Sequence, residues 1–241
     1  IVMNMPDGNT ISAAEHTIAM MMALSRNIQN GHMGIMSGEW NRKSLVGSEL
    51  KGKILGVVGL GRIGREVIKR ALGLEMKIIG YDPFVNEDVF DLDNIEITDL
   101  DQLTKNSDYI TLHVPLTEST QNLFDLDQLK LMKDSARLIN VSRGGIVNEK
   151  DLSNALNGGL IAGAAIDVFE KEPLDSDNPL IDSQNILLTP HLGASTHEAS
   201  EGVSFGICMQ VKDYLIDGKL SNPLNMPVND MGQLKQIQSL L

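Results

Sequence analysis

Residues Lys53-Ile54-Leu55-Gly56-Val57-Val58 form an apolar, β-rich run that enters a G-x-G-x-x-G turn, Gly59-Leu60-Gly61-Arg62-Ile63-Gly64. A helix-forming run, Arg62 to Leu74, begins inside that turn. Strand, glycine turn and helix in immediate succession leave few folds open. Such a turn lets backbone approach a pyrophosphate, and the helix behind it points unpaired N–H groups at the charge. Glycine-rich turns also simply end strands, so context decides. After the helix comes a second apolar run, Met76 to Tyr81, which ends on Asp82, 18 positions beyond Gly64. That spacing fits an acid placed to hydrogen-bond an adenosine ribose. A carboxylate there repels a 2′-phosphate, so the reading is NAD rather than NADP.

Further along, apolar strand-like runs alternate with helical ones. Strands are expected at 53–58, 76–81, 95–98, 108–114, 136–141, 161–168 and 186–189, with helices at 62–73, 99–105, 127–131 and 149–156. These strands are apolar on both parities, as parallel strands covered on two faces must be. The expected fold is therefore α/β: a doubly wound, mostly parallel Rossmann-type sheet with helices on both faces. The acidic stretch from Asn86 to Asp101 is less regular. A long helix, about Thr196 to Ile216, follows the last strand, and Lys219 to Leu241 reads as a linker.

The segment before the glycine turn has its own logic. Ile1 to Asn4 reads as a short strand. Ser12 with Glu15 makes a capping box for a helix running to about Asn30, where Gly31 ends it. Methionines and alanines lie on more than one of its faces, so burial on two sides is expected, one of them against a second subunit or within one domain. His16, inside this helix, reads as a packing histidine. Gly34 to Gly52 is a loop-rich connector with the only tryptophan, Trp40.

Composition narrows the partners. The chain has 241 residues, 42% of them hydrophobic, and a net charge of −12 from 20 basic and 32 acidic side chains. That balance argues against a nucleic-acid or anionic-membrane partner, though not against a small anionic substrate. The single cysteine, Cys208, excludes an intrachain disulfide, suggests a reducing compartment such as the cytoplasm, and reads as a structural thiol. No apolar run is long enough to span a bilayer, and no signal peptide is visible. The chain opens on Ile1 within a strand-like run and so reads as a piece of a longer polypeptide.

Ligands of open α/β sheets lie beyond the carboxyl ends of the strands. Collected there are Gly59, Gly61, Gly64 and Asp82; His113, Val114 and Pro115; Val141, Ser142, Arg143 and Gly144; Asp167 to Pro173; and Pro190 to Gly193. Each has a bland alternative. Arg143 caps a helix or pairs at the surface, and Glu172 is simply solvated within Phe169-Glu170-Lys171-Glu172-Pro173. His191 follows a proline at a strand end. His113 packs beside the cofactor, and Asp167 satisfies backbone donors or meets a nicotinamide. The sharper reading is hydride transfer from a secondary alcohol. That reaction needs a base with a pKa near working pH, which histidine supplies, and a carboxylate to fix its tautomer. An arginine fork would hold a substrate carboxylate. No metal site is indicated, since no histidine or cysteine pair has ligand spacing. The glycine motif lacks the lysine of a P-loop, which disfavours nucleoside triphosphate hydrolysis.

Five stretches resemble the D-isomer-specific 2-hydroxyacid dehydrogenase family in order and spacing. They are Gly8–Glu15, Gly59–Glu66, Ser142–Val147, Asp167–Pro173 and Thr189–Thr196. The resemblance implies that Arg143 binds the substrate carboxylate and carbonyl oxygen, that His191 is the acid/base, and that Glu172 pairs with it. It implies that Asp82 holds the adenosine ribose, Arg62 and Ile63 with the three glycines the pyrophosphate, and Asp167 the nicotinamide amide. Val114, Val141 and Ser142 would line the cofactor cleft, with Pro115, Arg143, His191, Gly193 and Ala194 beside them. It further implies an NAD-binding domain at 1–192 carrying a dimerisation helix. A C-terminal helix, 193–225, would belong to a substrate domain whose other segment precedes this chain, and 226–241 would be a tail. The implied reaction moves a hydride between NAD and a small-molecule D-2-hydroxy (or 2-keto) acid, foremost 3-phospho-D-glycerate to 3-phosphohydroxypyruvate in serine biosynthesis. The alternatives are glyoxylate or hydroxypyruvate reduction, and a non-catalytic NAD-sensing corepressor. The implied assembly is a homodimer or a tetramer of dimers. A chain lacking half a substrate domain is expected to bind NAD but turn over poorly.

Overall fold

The computed structural model describes residues 1–84 and 95–225. Seven short apolar runs form the strands β1 (Ile54–Val58), β2 (Lys77–Tyr81), β3 (Ile95–Ile97), β4 (Tyr109–Leu112), β5 (Arg137–Asn140), β6 (Gly163–Ile166) and β7 (Ile186–Leu188). Among the described residues seven α-helices accompany them: α1 (Thr10–Ser25), α2 (Ile28–Met36), α3 (Arg62–Gly73), α4 (Leu100–Asn106), α5 (Leu126–Leu131), α6 (Glu149–Asn157) and α7 (His197–Asp217). All strand pairs are parallel, in the order β3-β2-β1-β4-β5-β6-β7. The order reverses between β1 and β4, whose registered residues include Leu55 with Tyr109 and Val58 with Leu112. A doubly wound sheet opens its ligand crevice at such a reversal, and the glycine turn follows β1 directly.

Alternate side chains of each strand go to opposite faces. Val58, Ile79, Ile110, Leu112, Leu138, Ala164 and Ile166 pack with Leu103, Leu129 and Leu152 of α4, α5 and α6. Leu55, Val57, Ile78, Tyr109, Ile139 and Ala165 pack with Met20 and Met21 of α1 and with Val67, Ile68 and Ala71 of α3. Both parities are apolar because both faces are covered. Helix starts follow local capping chemistry. Asp99 accepts from the Gln102 amide, Asp125 from those of Asp127 and Gln128, and Asn148 from that of Asp151.

The chain divides into two compact units, one of residues 13–193 and one of residues 1–12 with the segment from Ala194 onward. The first twelve residues therefore group apart from the sheet. In their own unit, Met3 bridges antiparallel to Pro223, the Leu224 amide donates to Val2 O (2.8 Å), and Gln210 Nε2 donates to Asn4 O (3.2 Å). Thr196 Oγ1 caps α7 by accepting from the Ala199 amide, and Gly218 ends it at φ +65°.

Several expectations change. The early helix begins at Thr10, so Ser12 is not its cap; Ser12 Oγ hydrogen-bonds Thr196 Oγ1 (2.7 Å) instead. That helix stops at Ser25, because Asn27 takes a left-handed conformation (φ +51°) that asparagine tolerates. Gly31 then lies inside α2 rather than ending the first helix. The connector holds a 3-10 turn, Arg42–Leu45. Cys208 is exposed on α7, not packed as a structural thiol. Asn86 to Asn94 of the acidic stretch, and the tail 226–241, lie outside the described residues. Among the described residues no helix is long and apolar enough to cross a membrane.

Candidate active site

At the carboxyl end of β1 the chain is shaped by close approach. Gly59 has φ +95°, and a Cβ there would stand 2.7 Å from the carbonyl of His113. A Cβ at Gly64 would collide with Gly59 O, whereas Gly61 faces open space. Two glycines are thus required by backbone contact, and the third leaves room for a ligand. No side-chain hydrogen bond caps α3 at Gly61, so the first-turn amides of Ile63 and Gly64 face the position an anion would take. The site fits a dinucleotide pyrophosphate on these grounds. Asp82 has a second task beside the expected one. Its Oδ2 accepts from Leu60 N (2.9 Å) and its Oδ1 from Phe84 N (2.9 Å), which ties the glycine turn to the end of β2. Each oxygen keeps a lone pair for a ribose hydroxyl.

The neighbouring strand ends supply the floor. The His113 amide donates to Val58 O (2.7 Å), and Nε2 of its half-buried ring lies 3.0 Å from Thr111 Oγ1. Desolvation pushes this imidazole down to about 3, so it is neutral at physiological pH. Val114 and Pro115 continue directly from it. At β5, the buried Asn140 organises the next turn. Its Oδ1 accepts from Ser142 N (3.1 Å) and Ser142 Oγ (2.9 Å), and its Nδ2 donates to Arg143 O (2.9 Å). Arg143 is exposed, with one N–H on Ser142 O (2.6 Å). A side chain at Gly144 would collide with Phe169 O, so this turn lies flat against the segment carrying Asp167 to Glu172.

Asp167 is the hub of that segment. Its side chain is fully buried, and Oδ1 accepts from Thr189 Oγ1 (2.5 Å) and Leu192 N (2.8 Å), while Oδ2 accepts from Gly193 N (2.8 Å). His16 Nε2 stands 3.2 Å from Oδ1. Burial alone would raise this carboxyl, but the bonds from His16, Thr189, Leu192 and Gly193 outweigh it and hold it below its ordinary value. A Cβ at Gly193 would lie 3.0 Å from Val141 Cγ1, which places Val141 beside the same loop. His16, expected only to pack, therefore orients an acid at the rim.

His191 Nδ1 lies 2.6 Å from Glu172 Oε2, and Glu172 Oε1 accepts from Phe169 N (3.0 Å). Burial would raise Glu172, yet the His191 and Phe169 bonds hold it below the usual carboxylate value. His191 adopts φ +54°, a strained backbone for a non-glycine residue, held by its amide donating to Asp167 O (2.8 Å) and Thr189 O (3.0 Å). The pair borders a cavity of about 610 Å³ with Phe169, Leu174, Leu188 and Pro190 on its walls. Glu149, at the start of α6, clamps the loop that carries Glu172. Its Oε1 accepts from Glu170 N (2.7 Å) and its Oε2 from Asn178 Nδ2 (2.6 Å). Burial, and then Glu149 nearby, raise the Glu170 carboxyl.

The sheet therefore gathers Gly59, Gly61, Arg62, Ile63, Gly64, Asp82, Val114, Pro115, Val141, Ser142, Arg143, Asp167, Glu172, His191 and Gly193 at strand ends. Ala194 belongs to the other unit, with residues 1–12. Reading the residues missed Asn140, Glu149 and Thr189. Asn140 had a signal, being an amide inside an otherwise apolar run. Glu149 had none, because its partners lie 21 and 29 positions away. Among the described residues no group of three or more His, Cys, Asp or Glu side chains could hold a metal.

Residues 18–193 match the family described as D-isomer specific 2-hydroxyacid dehydrogenase, NAD binding domain, and the chain belongs to this family. It is 45% identical over 239 residues to the D-3-phosphoglycerate dehydrogenase of Methanocaldococcus jannaschii, covering 98% of this chain and 45% of that one. The D-3-phosphoglycerate dehydrogenase of Bacillus subtilis is 42% identical over 238 residues, covering 99% and 45%. Among solved structures, a D-lactate dehydrogenase from Aquifex aeolicus complexed with NAD and lactic acid superposes with a TM-score of 0.81 at 30% identity, covering 93% of this chain and 74% of that one. The chain spans a little under half the length of these two curated relatives.

Proposed function

We propose that this chain is the catalytic NAD-binding part of an oxidoreductase for D-2-hydroxy acids, acting on 3-phospho-D-glycerate to give 3-phosphohydroxypyruvate at the entry to serine biosynthesis. The observation that carries the reading is the His191–Glu172 pair, 2.6 Å apart, on the same rim as the glycine turn. Glu172 holds the proton of the Nδ1 tautomer, so Nε2, which has no hydrogen bond among the described residues, is left as the base. In oxidation it takes the proton of the substrate hydroxyl; in reduction it returns it. NAD, when bound, supplies the hydride acceptor. Arg143 keeps N–H donors for a substrate carboxylate and the adjacent oxygen. Asp167 holds Leu192 and Gly193 so that the loop bearing His191 keeps its place.

Residues 13–193 are assigned as the cofactor domain and α7 with residues 1–12 as part of a substrate domain. The assembly is proposed as a homodimer, or as a tetramer of such dimers. α2 buries no residue, and Ile35, Met36 and Trp40 beside it are exposed, more apolar surface than a lone subunit normally leaves wet. The lone cysteine suits a reducing compartment, and the proposal places the enzyme in the cytoplasm. The choice of phosphoglycerate rests on the named relatives. Steady-state rates with 3-phosphohydroxypyruvate, hydroxypyruvate and glyoxylate, each with NADH and NADPH, test it. A preference for 3-phosphohydroxypyruvate with NADH is expected; equal or faster turnover of glyoxylate would replace that substrate.

A further inference from the structure

A second polar hollow lies at the opposite, amino-terminal edge of the sheet. It holds about 130 Å³ and is lined by Ser48, Lys53, Asp108, Tyr109, Ser135, Arg137 and Ala162. Its charges are uneven. Asp108, the only acid of the lining, is already committed: Oδ1 accepts from Lys133 Nζ (2.8 Å) and Oδ2 from Ile54 N (2.9 Å). Burial would raise this carboxyl, but those two bonds, with Lys133 and Lys53 nearby, hold it below its ordinary value. It therefore stays ionised and spent.

Arg137 has no carboxylate partner among the described residues. Its guanidinium lies over the ring of Tyr109, 5.6 Å from the centroid, and reaches only Ser135 O, at 3.4 Å. Tyr109 is itself buried, with its hydroxyl 3.0 Å from Ser25 Oγ, so the ring is a fixed platform. Lys53 makes no side-chain hydrogen bond among the described residues and senses Asp108 only at a distance. Lys53, Lys133 and Arg137 against Asp108 leave two positive charges in excess, in a chain whose net charge is −12. A guanidinium fork held on an aromatic face, an ammonium and two hydroxyls make a donor set that suits a tetrahedral oxyanion.

We propose that this hollow binds a phosphate group, free or carried by a small metabolite, with Arg137 and Lys53 as the charged donors and Ser48 and Ser135 as hydroxyl donors. The strand ends that carry the cofactor rim are the opposite ends of the same strands, so the two sites are separate and the inference does not depend on the proposed dehydrogenase activity.

The test titrates inorganic phosphate, and separately glycerol 3-phosphate, into the chain saturated with NAD, at constant ionic strength against chloride. Saturation with NAD keeps phosphate off the glycine turn. Saturable binding with a rise in melting temperature is expected. Arg137→Gln and Lys53→Met should each weaken it at least about tenfold, the loss of one charged hydrogen bond, with NAD affinity unchanged as the check of folding. Tighter binding of the ester would mark a metabolite phosphate as the ligand; equal binding would mark the phosphate group alone. No saturable binding with NAD present, or binding that both variants retain, overturns the proposal.

Discussion

The two ends of the carboxyl rim are built by different means. Around β1 and β2 the site is mostly backbone, tied to the end of β2 by the Asp82 carboxylate. Gly59 and Gly64 are set by contacts a Cβ would block, and α3 starts behind them without a side-chain cap. Around β6 and β7 the site is side chain. Asp167, Glu172 and Glu149 each bind main-chain amides of loops that would otherwise be free to move. At Gly59 and Gly64 the first half should fail by steric collision, and the second half by loss of a carboxylate, so substitutions at those positions can tell them apart.

The largest effect is expected at His191. Replacing it with alanine should slow hydride transfer by about 10²–10⁴-fold, the usual worth of positioned proton transfer, while NAD affinity measured by calorimetry stays within about twofold. A parallel loss of NAD binding would mean that the two halves are not separable. Gly64→Ala probes the other end. The new methyl meets Gly59 O, so a loss of about 3 kcal/mol in urea unfolding is expected, together with NAD binding. Retained affinity would show that the turn can relax around it.

Asp167→Asn should cost about 2–3 kcal/mol near neutral pH, since a buried carboxylate with four hydrogen-bonding neighbours loses its charge. Because the folded-state value lies below the ordinary 3.8, that contribution is present above 3.8 and fades as pH falls through the lower folded value. Unfolding curves of the two proteins should therefore converge in acid; a gap independent of pH would locate the effect elsewhere. The smallest change is Glu149→Ala. Freeing the Glu170 amide and Asn178 should lower stability by about 1 kcal/mol and speed amide exchange in residues 170–178, with the sheet unaffected.

The same contrast explains what could be read in advance. The glycine turn, the acid at position 82 and the parallel sheet follow from short-range patterns: apolar runs on both parities, a spacing, a helix start. His191 and Glu172 were found as residue types at strand ends, and Arg143 likewise. What the residues did not reveal was their support. His16 reaches Asp167 across 151 positions, and Glu149 reaches Glu170 across 21. Neither partner leaves a local mark, because a carboxylate that binds a distant amide looks in sequence like any solvated acid. The break at Asn27 escaped for another reason. A single left-handed residue ends one helix and admits another, and an asparagine within an apolar helical stretch does not announce it.

Asp82 bears on any attempt to redesign cofactor choice. Its carboxylate pins the Leu60 amide, and in the proposed cofactor pose it would also fend off a 2′-phosphate. A swap to a small neutral residue, the obvious route to NADP, would unfasten the loop that cradles the nucleotide. Retargeting this scaffold therefore requires a compensating tether for Leu60, introduced together with the change at position 82.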